Sequence, residues 1–93
     1  MLTPHARELL ESVFEDLSEP ASYPGSASDA EQAVWMDRQE AESALGGLIS
    51  TALATGRVDD QALRETCALV ERRGTRIDAV RVAAALRILG QAT

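Results

Sequence analysis

The sequence predicts an all-α protein, a small bundle of four helices formed by 93 residues. Three observations support this fold class. The composition is 45% hydrophobic but only 3% aromatic, and sixteen residues are alanine, so the apolar side chains are mostly the small ones that suit closely packed helices. Apolar residues recur at helical spacing. Prolines, glycines and helix-capping residues divide the chain into four such segments.

The first helix is predicted over residues 4–17. Thr3 and Pro4 form a helix start, because proline at the first helical position gives up an amide that would have no partner there. The segment is amphipathic at the 3.6-residue period. Its apolar side holds Leu9, Leu10, Val13, Phe14 and Leu17, and its opposite side holds Glu8, Glu11 and Glu15.

A flexible loop is predicted over residues 18–28, where Pro20, Pro24 and Gly25 prevent the first helix from continuing. The second helix, over residues 29–55, begins after Ser28, which forms a capping box with Glu31. This loop is the only linker that the sequence indicates. Residues 1–93 are therefore predicted to form a single helical domain.

The second helix carries an apolar stripe interrupted by two glycines. The stripe consists of Val34, Ala41, Leu45, Leu48 and Ala52. Gly46 and Gly47 each cost about 1 kcal/mol relative to alanine in a helix. They mark a kink, a break, or a place where another backbone comes close, and the sequence leaves all three open.

The last two helices are predicted over residues 60–73 and 76–89. Asp59 caps the third helix and Gly74 ends it. Thr75 and Asp78 form a capping box at the start of the fourth helix, and Gly90 ends that helix. Because the fourth helix has apolar residues on nearly all sides, we expect it inside the bundle or inside an interface.

The net charge of −6 is distributed unevenly along the chain. Residues 1–42 contain ten acids and two arginines, a net charge of −8, whereas residues 43–93 contain five acids and seven arginines, a net charge of +2. Binding nucleic acid through its phosphates requires basic groups, so the composition argues against this class of partner. An acidic face that meets a basic protein surface fits better.

No pattern of catalytic residues is present, so we expect a non-catalytic protein without cofactor or metal. The single histidine, His5, lies in the first turn of the first helix, and Cys67 lies on the inward side of the third. The chain has no glycine-rich phosphate loop and no metal-ligand spacing. The single cysteine, the acidic N-terminal segment and the short apolar runs predict a cytoplasmic protein outside the membrane.

Trp35 and Met36 form a large apolar pair in a segment otherwise made of alanine and charge. In one interpretation Trp35 covers the rim of the bundle and Met36 is an ordinary exposed residue. In the other, the pair is the apolar centre of a docking patch surrounded by carboxylates. The predicted partner-binding residues are Glu8, Glu11, Glu15, Trp35, Met36, Asp37, Glu40 and Glu42.

The preferred function is a protein-interaction module, an inhibitor or adaptor that binds another protein with a basic surface. Its carboxylates on the first two helices are expected to face outward together. Small acidic proteins that occupy a basic groove on their target, such as phage-borne inhibitors of bacterial defence complexes, are comparable in size and charge alone.

Two other functions stay open. Residues 66–86 have the helix, glycine turn and helix of a helix-turn-helix DNA-binding regulator, with Arg73, Arg76 and Arg81 as DNA contacts. The chain could also be a structural subunit of a phage-like assembly, or a homodimer, joined by its apolar fourth helix. The residues expected in that self-association are Val82, Leu86 and Leu89.

Overall fold

The computed structural model describes residues 2–19 and 28–92, and within these ranges it confirms the all-α bundle of four helices without a strand. The helices are α1 (Pro4–Ser18), α2 (Asp29–Thr55), α3 (Asp60–Arg73) and α4 (Ala79–Gln91). The predicted loop at 18–28 is described only at its ends, since Ser18 belongs to α1 and residues 20–27 lie outside the described ranges.

The first three helices begin at the predicted capping residues. The Thr3 hydroxyl accepts a hydrogen bond from the amide of Ala6 at 3.1 Å, and a carboxylate oxygen of Asp59 accepts one from Ala62 at 3.0 Å. At the start of α2 the Ser28 hydroxyl accepts from the Glu31 amide at 3.3 Å. Each bond satisfies one amide that the first turn of a helix leaves without a partner.

The fourth helix begins later than predicted, at Ala79 rather than residue 76. Its N-cap is Asp78, whose carboxylate accepts from the Val80 amide at 2.8 Å, and the predicted capping box at Thr75 is wrong. Thr75 instead donates its hydroxyl to the carbonyl of Ile77 at 3.2 Å. The helix also continues through Gly90 and ends at Gln91.

The second helix is continuous through Gly46 and Gly47, so the alternative of a break is wrong. A Cβ placed on Gly46 would lie 4.0 Å from Cδ1 of Leu17, which is an ordinary contact with α1, and one placed on Gly47 would meet nothing within 4 Å. The predicted stripe is correct from Ala41 onward, but Val34 is 47% exposed.

The helices surround one apolar core, with α1 against α2, α2 against α3, α3 against α4, and α4 against α1. α1 and α2 run antiparallel, because the guanidinium of Arg7 donates to the Leu53 carbonyl at 3.2 Å while Leu17 lies beside Gly46. The core consists of Leu10, Val13, Leu45, Leu48, Ile49, Ala52, Val58, Leu63, Val82, Ala85 and Leu89. Burial of each large aliphatic side chain contributes about 1.5–3 kcal/mol.

Across residues 2–19 and 28–92, no helix combines the length and the apolar character needed to cross a bilayer.

Candidate protein-interaction surface

The carboxylate of Glu42 is buried, at 4% exposure, on the side of α2 that faces the core. The guanidinium of Arg76 donates from Nε to its two oxygens, at 2.8 and 3.2 Å, and the amide of Arg76 donates at 3.3 Å. Arg76 also donates from Nη2 to the carbonyl of Glu19 at 3.3 Å. Glu42 therefore joins the α3–α4 connection to α2, and the expectation that it faces outward is wrong.

A second arginine, Arg73, neutralises carboxylates of α2 at the surface. Its Nη1 donates to the carboxylate of Glu40 and lies 3.9 Å from Oδ1 of Asp37. Both acids are exposed, as predicted, but they meet the C-terminal end of α3. Exposed pairs of this kind are worth about 0–1 kcal/mol. Glu40 and Asp37 remain on the surface, but they offer less free negative charge than the sequence indicated.

The third arginine, Arg81, connects α4 to α1. Its Nη1 donates to the carboxylate of Asp16, and its Nη2 donates to the hydroxyl of Ser12 at 2.7 Å. Ser12 and Asp16 are four residues apart, so they lie on the same side of α1 and both face the arginine. This contact was not predicted, because the separation of 65 residues between Arg81 and Asp16 leaves no local signal.

These three contacts account for much of the charge asymmetry along the sequence. Each joins an arginine of the second half of the chain to acids of the first half. The expectation that the carboxylates of α1 and α2 face outward together is therefore wrong for Glu42, whereas Asp37 and Glu40 are exposed but paired with Arg73. The same pairing engages Arg73, Arg76 and Arg81, the three side chains that the helix-turn-helix hypothesis assigned to DNA.

Of the acids predicted to bind a partner, Glu8, Glu11 and Glu15 stay free. All three are exposed on α1, and within the described ranges none of them forms an ion pair or a side-chain hydrogen bond. Their spacing of three and four residues places them along one side of the helix, over about 10 Å. This acidic side of α1, defined by these three glutamates, is the largest part of the predicted surface that the structure retains.

Trp35 and Met36 lie in the N-terminal part of α2, before the buried segment that begins at Ala41. Met36 is 60% exposed, while Trp35 is half-buried with its indole nitrogen covered. Successive residues of a helix point about 100° apart, which agrees with the different exposures of Trp35 and Met36. The two side chains therefore differ in exposure, and Met36 is the more accessible of the two.

The residues expected in self-association lie mostly inside the core. Val82 is 3% exposed and Leu89 is fully buried, so neither is available to a second copy, and Leu86 is half-buried against the same core. The prediction of an interface at Val82 and Leu89 is wrong. The fourth helix instead exposes Val80, at 76% exposure, together with Ala83 and Arg87.

The single histidine and the single cysteine lie on different helices. His5 is exposed in the first turn of α1, and Cys67 is half-buried against the core. Burial, together with the carboxylate of Glu71, raises the pKa of the Cys67 thiol. In the part of the chain that the structure describes, no three His, Cys, Asp or Glu side chains form a group that could hold a metal ion.

No protein-family model, no curated protein and no solved structure matches this chain.

Proposed function

We propose that this protein is a non-catalytic interaction module, a small acidic inhibitor or adaptor, that binds a basic surface of another protein through the acidic side of α1. One observation carries the proposal: Glu8, Glu11 and Glu15 are exposed and unpaired, whereas Asp37, Glu40 and Glu42 are bound by arginines of the same chain. A lone cysteine fits a reducing compartment, and we propose the cytoplasm.

The arrangement of the three glutamates favours a charged partner. Like charges three and four residues apart on a helix repel one another, at a cost of about 0.2–0.5 kcal/mol for each pair. The bundle keeps this repulsion on α1, whereas Asp37, Glu40 and Glu42 of α2 are paired with arginines. Lysine or arginine side chains of a partner would relieve it, and the attraction would accelerate the encounter.

Met36, in the N-terminal part of α2, is proposed as an apolar anchor for the partner, with Trp35 supporting it from the rim of the bundle. An exposed methionine adapts to different partner shapes because its side chain is flexible and unbranched. The DNA-binding alternative receives less support, because Arg73, Arg76 and Arg81 are already engaged by Glu40, Glu42 and Asp16.

The test compares two variants that lose the same charge. Glu11→Gln with Glu15→Gln removes two charges from the acidic side of α1, and Glu65→Gln with Glu71→Gln removes two exposed charges from α3. Each protein is immobilised and exposed to a lysate of the source organism, and captured proteins are identified by mass spectrometry. Binding of the purified captured protein is then measured over a range of salt concentrations.

We expect a captured protein that binds the wild type and the α3 variant but binds the α1 variant at least tenfold more weakly, with an affinity that falls as salt rises. Met36→Glu should weaken the same complex without changing the free energy of unfolding. If every captured protein binds the α1 and α3 variants equally, the proposed surface is wrong.

A further inference from the structure

An open groove of about 500 Å³ runs along the outside of the bundle between α2 and α3. Leu48 and Val58, both buried core residues, form part of its wall, and small residues such as Gly47 and Ala62 line its sides. The space above Gly47 is empty, because a Cβ placed there would meet nothing within 4 Å. The groove can therefore accept apolar side chains from outside the molecule.

The charged side chains that line this groove are both acids. Asp59 lies at one end, where its carboxylate caps α3, and Glu65 lies along the α3 side, where it accepts a hydrogen bond from Gln61 at 3.2 Å. Neither acid forms an ion pair within the described ranges. An occupant of the groove should therefore combine small or branched apolar residues with a positive charge.

The outer side of α4 has this combination. Val80, Ala83 and Arg87 are exposed and follow one another at intervals of three and four residues, so they lie along one side of the helix over about 10 Å. Val80 is the most exposed of the large apolar side chains in the described ranges, at 76%. Arg87 forms no ion pair there, unlike Arg73, Arg76 and Arg81, and α4 itself contains no acid.

We propose that the outer side of α4 of one molecule binds in the α2–α3 groove of a second copy of this chain. Val80 and Ala83 enter the apolar groove, and Arg87 meets the carboxylate of Asp59 or Glu65. The groove and the outer side of α4 share no residue, so every molecule offers one of each. This contact is heterologous, which means that two different surfaces of the same protein meet.

The association is expected to be weak. The surface area that one helix side and one groove can bury lies at or below the lower end of the range of about 1,200–2,000 Å² for stable protein interfaces. The contact is independent of the acidic side of α1 and of the partner proposed above. Its failure would leave the proposed function unaffected.

Two variants block the two surfaces separately. Gly47→Gln places a long side chain in the groove, where its Cβ would meet nothing within 4 Å, and it favours the helix, since glycine is about 1 kcal/mol worse than good helix formers. Val80→Glu places a negative charge on the outer side of α4, where it faces the acids of the groove. The matched controls are Ser50→Gln on the exposed side of α2 and Val34→Glu, both outside the two surfaces.

Sedimentation equilibrium over a wide range of protein concentration measures the result. The wild type, Ser50→Gln and Val34→Glu should increase in average mass with concentration, whereas Gly47→Gln and Val80→Glu should each stay monomeric. A mixture of Gly47→Gln and Val80→Glu should associate again, because the first retains an intact α4 and the second an intact groove.

Several outcomes would overturn the proposal. The first is that the wild type stays monomeric at the highest concentration. The second is that either blocking variant associates like the wild type. The third is that the mixture of the two variants stays monomeric. Circular dichroism of each variant should show unchanged helix content. A loss of association then results from the altered surface and not from unfolding.

Discussion

Arg76 forms an ion pair with the buried carboxylate of Glu42, with Arg76 Nε 2.8 Å and 3.2 Å from the two carboxylate oxygens. The pair holds the connection between α3 and α4 against the middle of α2, on the side that also carries Leu45 and Ile49. A carboxylate in this position is costly unless it is paired and hydrogen-bonded, and Arg76 supplies both its guanidinium and its backbone amide.

The first prediction concerns this pair. Glu42→Ala should lower the free energy of unfolding by about 2–3 kcal/mol, because it leaves the partly buried Arg76 without its partner and opens space beside the core. Urea denaturation measures the change. Glu40→Ala removes the same kind of charge from an exposed pair with Arg73 and should cost less than about 1 kcal/mol. Equal losses in the two variants would contradict the buried position of Glu42.

The second prediction concerns α4. Leu89 is fully buried, so Leu89→Ala should lower the free energy of unfolding by about 2–5 kcal/mol through lost burial and the cavity that it leaves. Val80→Ala, at an exposed position of the same helix, should change it by less than about 0.5 kcal/mol. Thermal and urea denaturation check both variants. A small loss at Leu89 would mean that α4 is not packed against the other helices as described.

The third prediction separates two kinds of glycine. Gly47 has helical backbone angles and empty space around it, so Gly47→Ala should raise the free energy of unfolding by about 1 kcal/mol. Gly56 ends α2 with a φ of +72°, a left-handed conformation that alanine adopts at a cost of about 1–2 kcal/mol, so Gly56→Ala should lower it. Chemical denaturation of both variants tests the opposite signs. A loss of stability in Gly47→Ala would show that the helix is not continuous there.

The fourth prediction concerns DNA. Because Arg73, Arg76 and Arg81 are paired with the chain's own carboxylates, the protein should not retard duplex DNA in a mobility-shift experiment at low salt. The double variant Glu42→Gln with Asp16→Asn serves as the comparison, because it removes the carboxylate partners of Arg76 and Arg81. Retardation by the wild type that disappears in Arg81→Gln would revive the helix-turn-helix hypothesis.

The fifth prediction concerns the thiol of Cys67, whose pKa is raised by burial and by the carboxylate of Glu71. Alkylation should rise with pH along a curve whose midpoint lies above that of the same chain in denaturant. The folded state favours the protonated thiol, so this contribution to stability is fully present below the unfolded pKa and is lost as pH rises through the folded pKa. A midpoint equal in the folded and unfolded protein would contradict the burial of Cys67.

Some of the side-chain positions could have been read from the sequence. Glu42 lies three and seven residues before Leu45 and Ile49, which is the phase of the buried side of α2, so its burial had a periodic signal. Val34 had the same phase and is nevertheless exposed, because the buried part of α2 begins only at Ala41. Phase along a helix indicates which residues could face a neighbour, but not whether a neighbour extends that far.

The sequence by itself determined the four helices, because capping residues and apolar spacing act within one or two turns. It also determined the capping residues Thr3, Ser28 and Asp59, and the acidic side of α1. The tertiary structure decided where the remaining charges go, since Arg73, Arg76 and Arg81 meet acids between 33 and 65 residues away. The same contacts hold the connection between α3 and α4 against α2, and α4 begins after it at Ala79, capped by Asp78. Coulomb attraction depends on distance in space, and that distance exists only after the helices have packed.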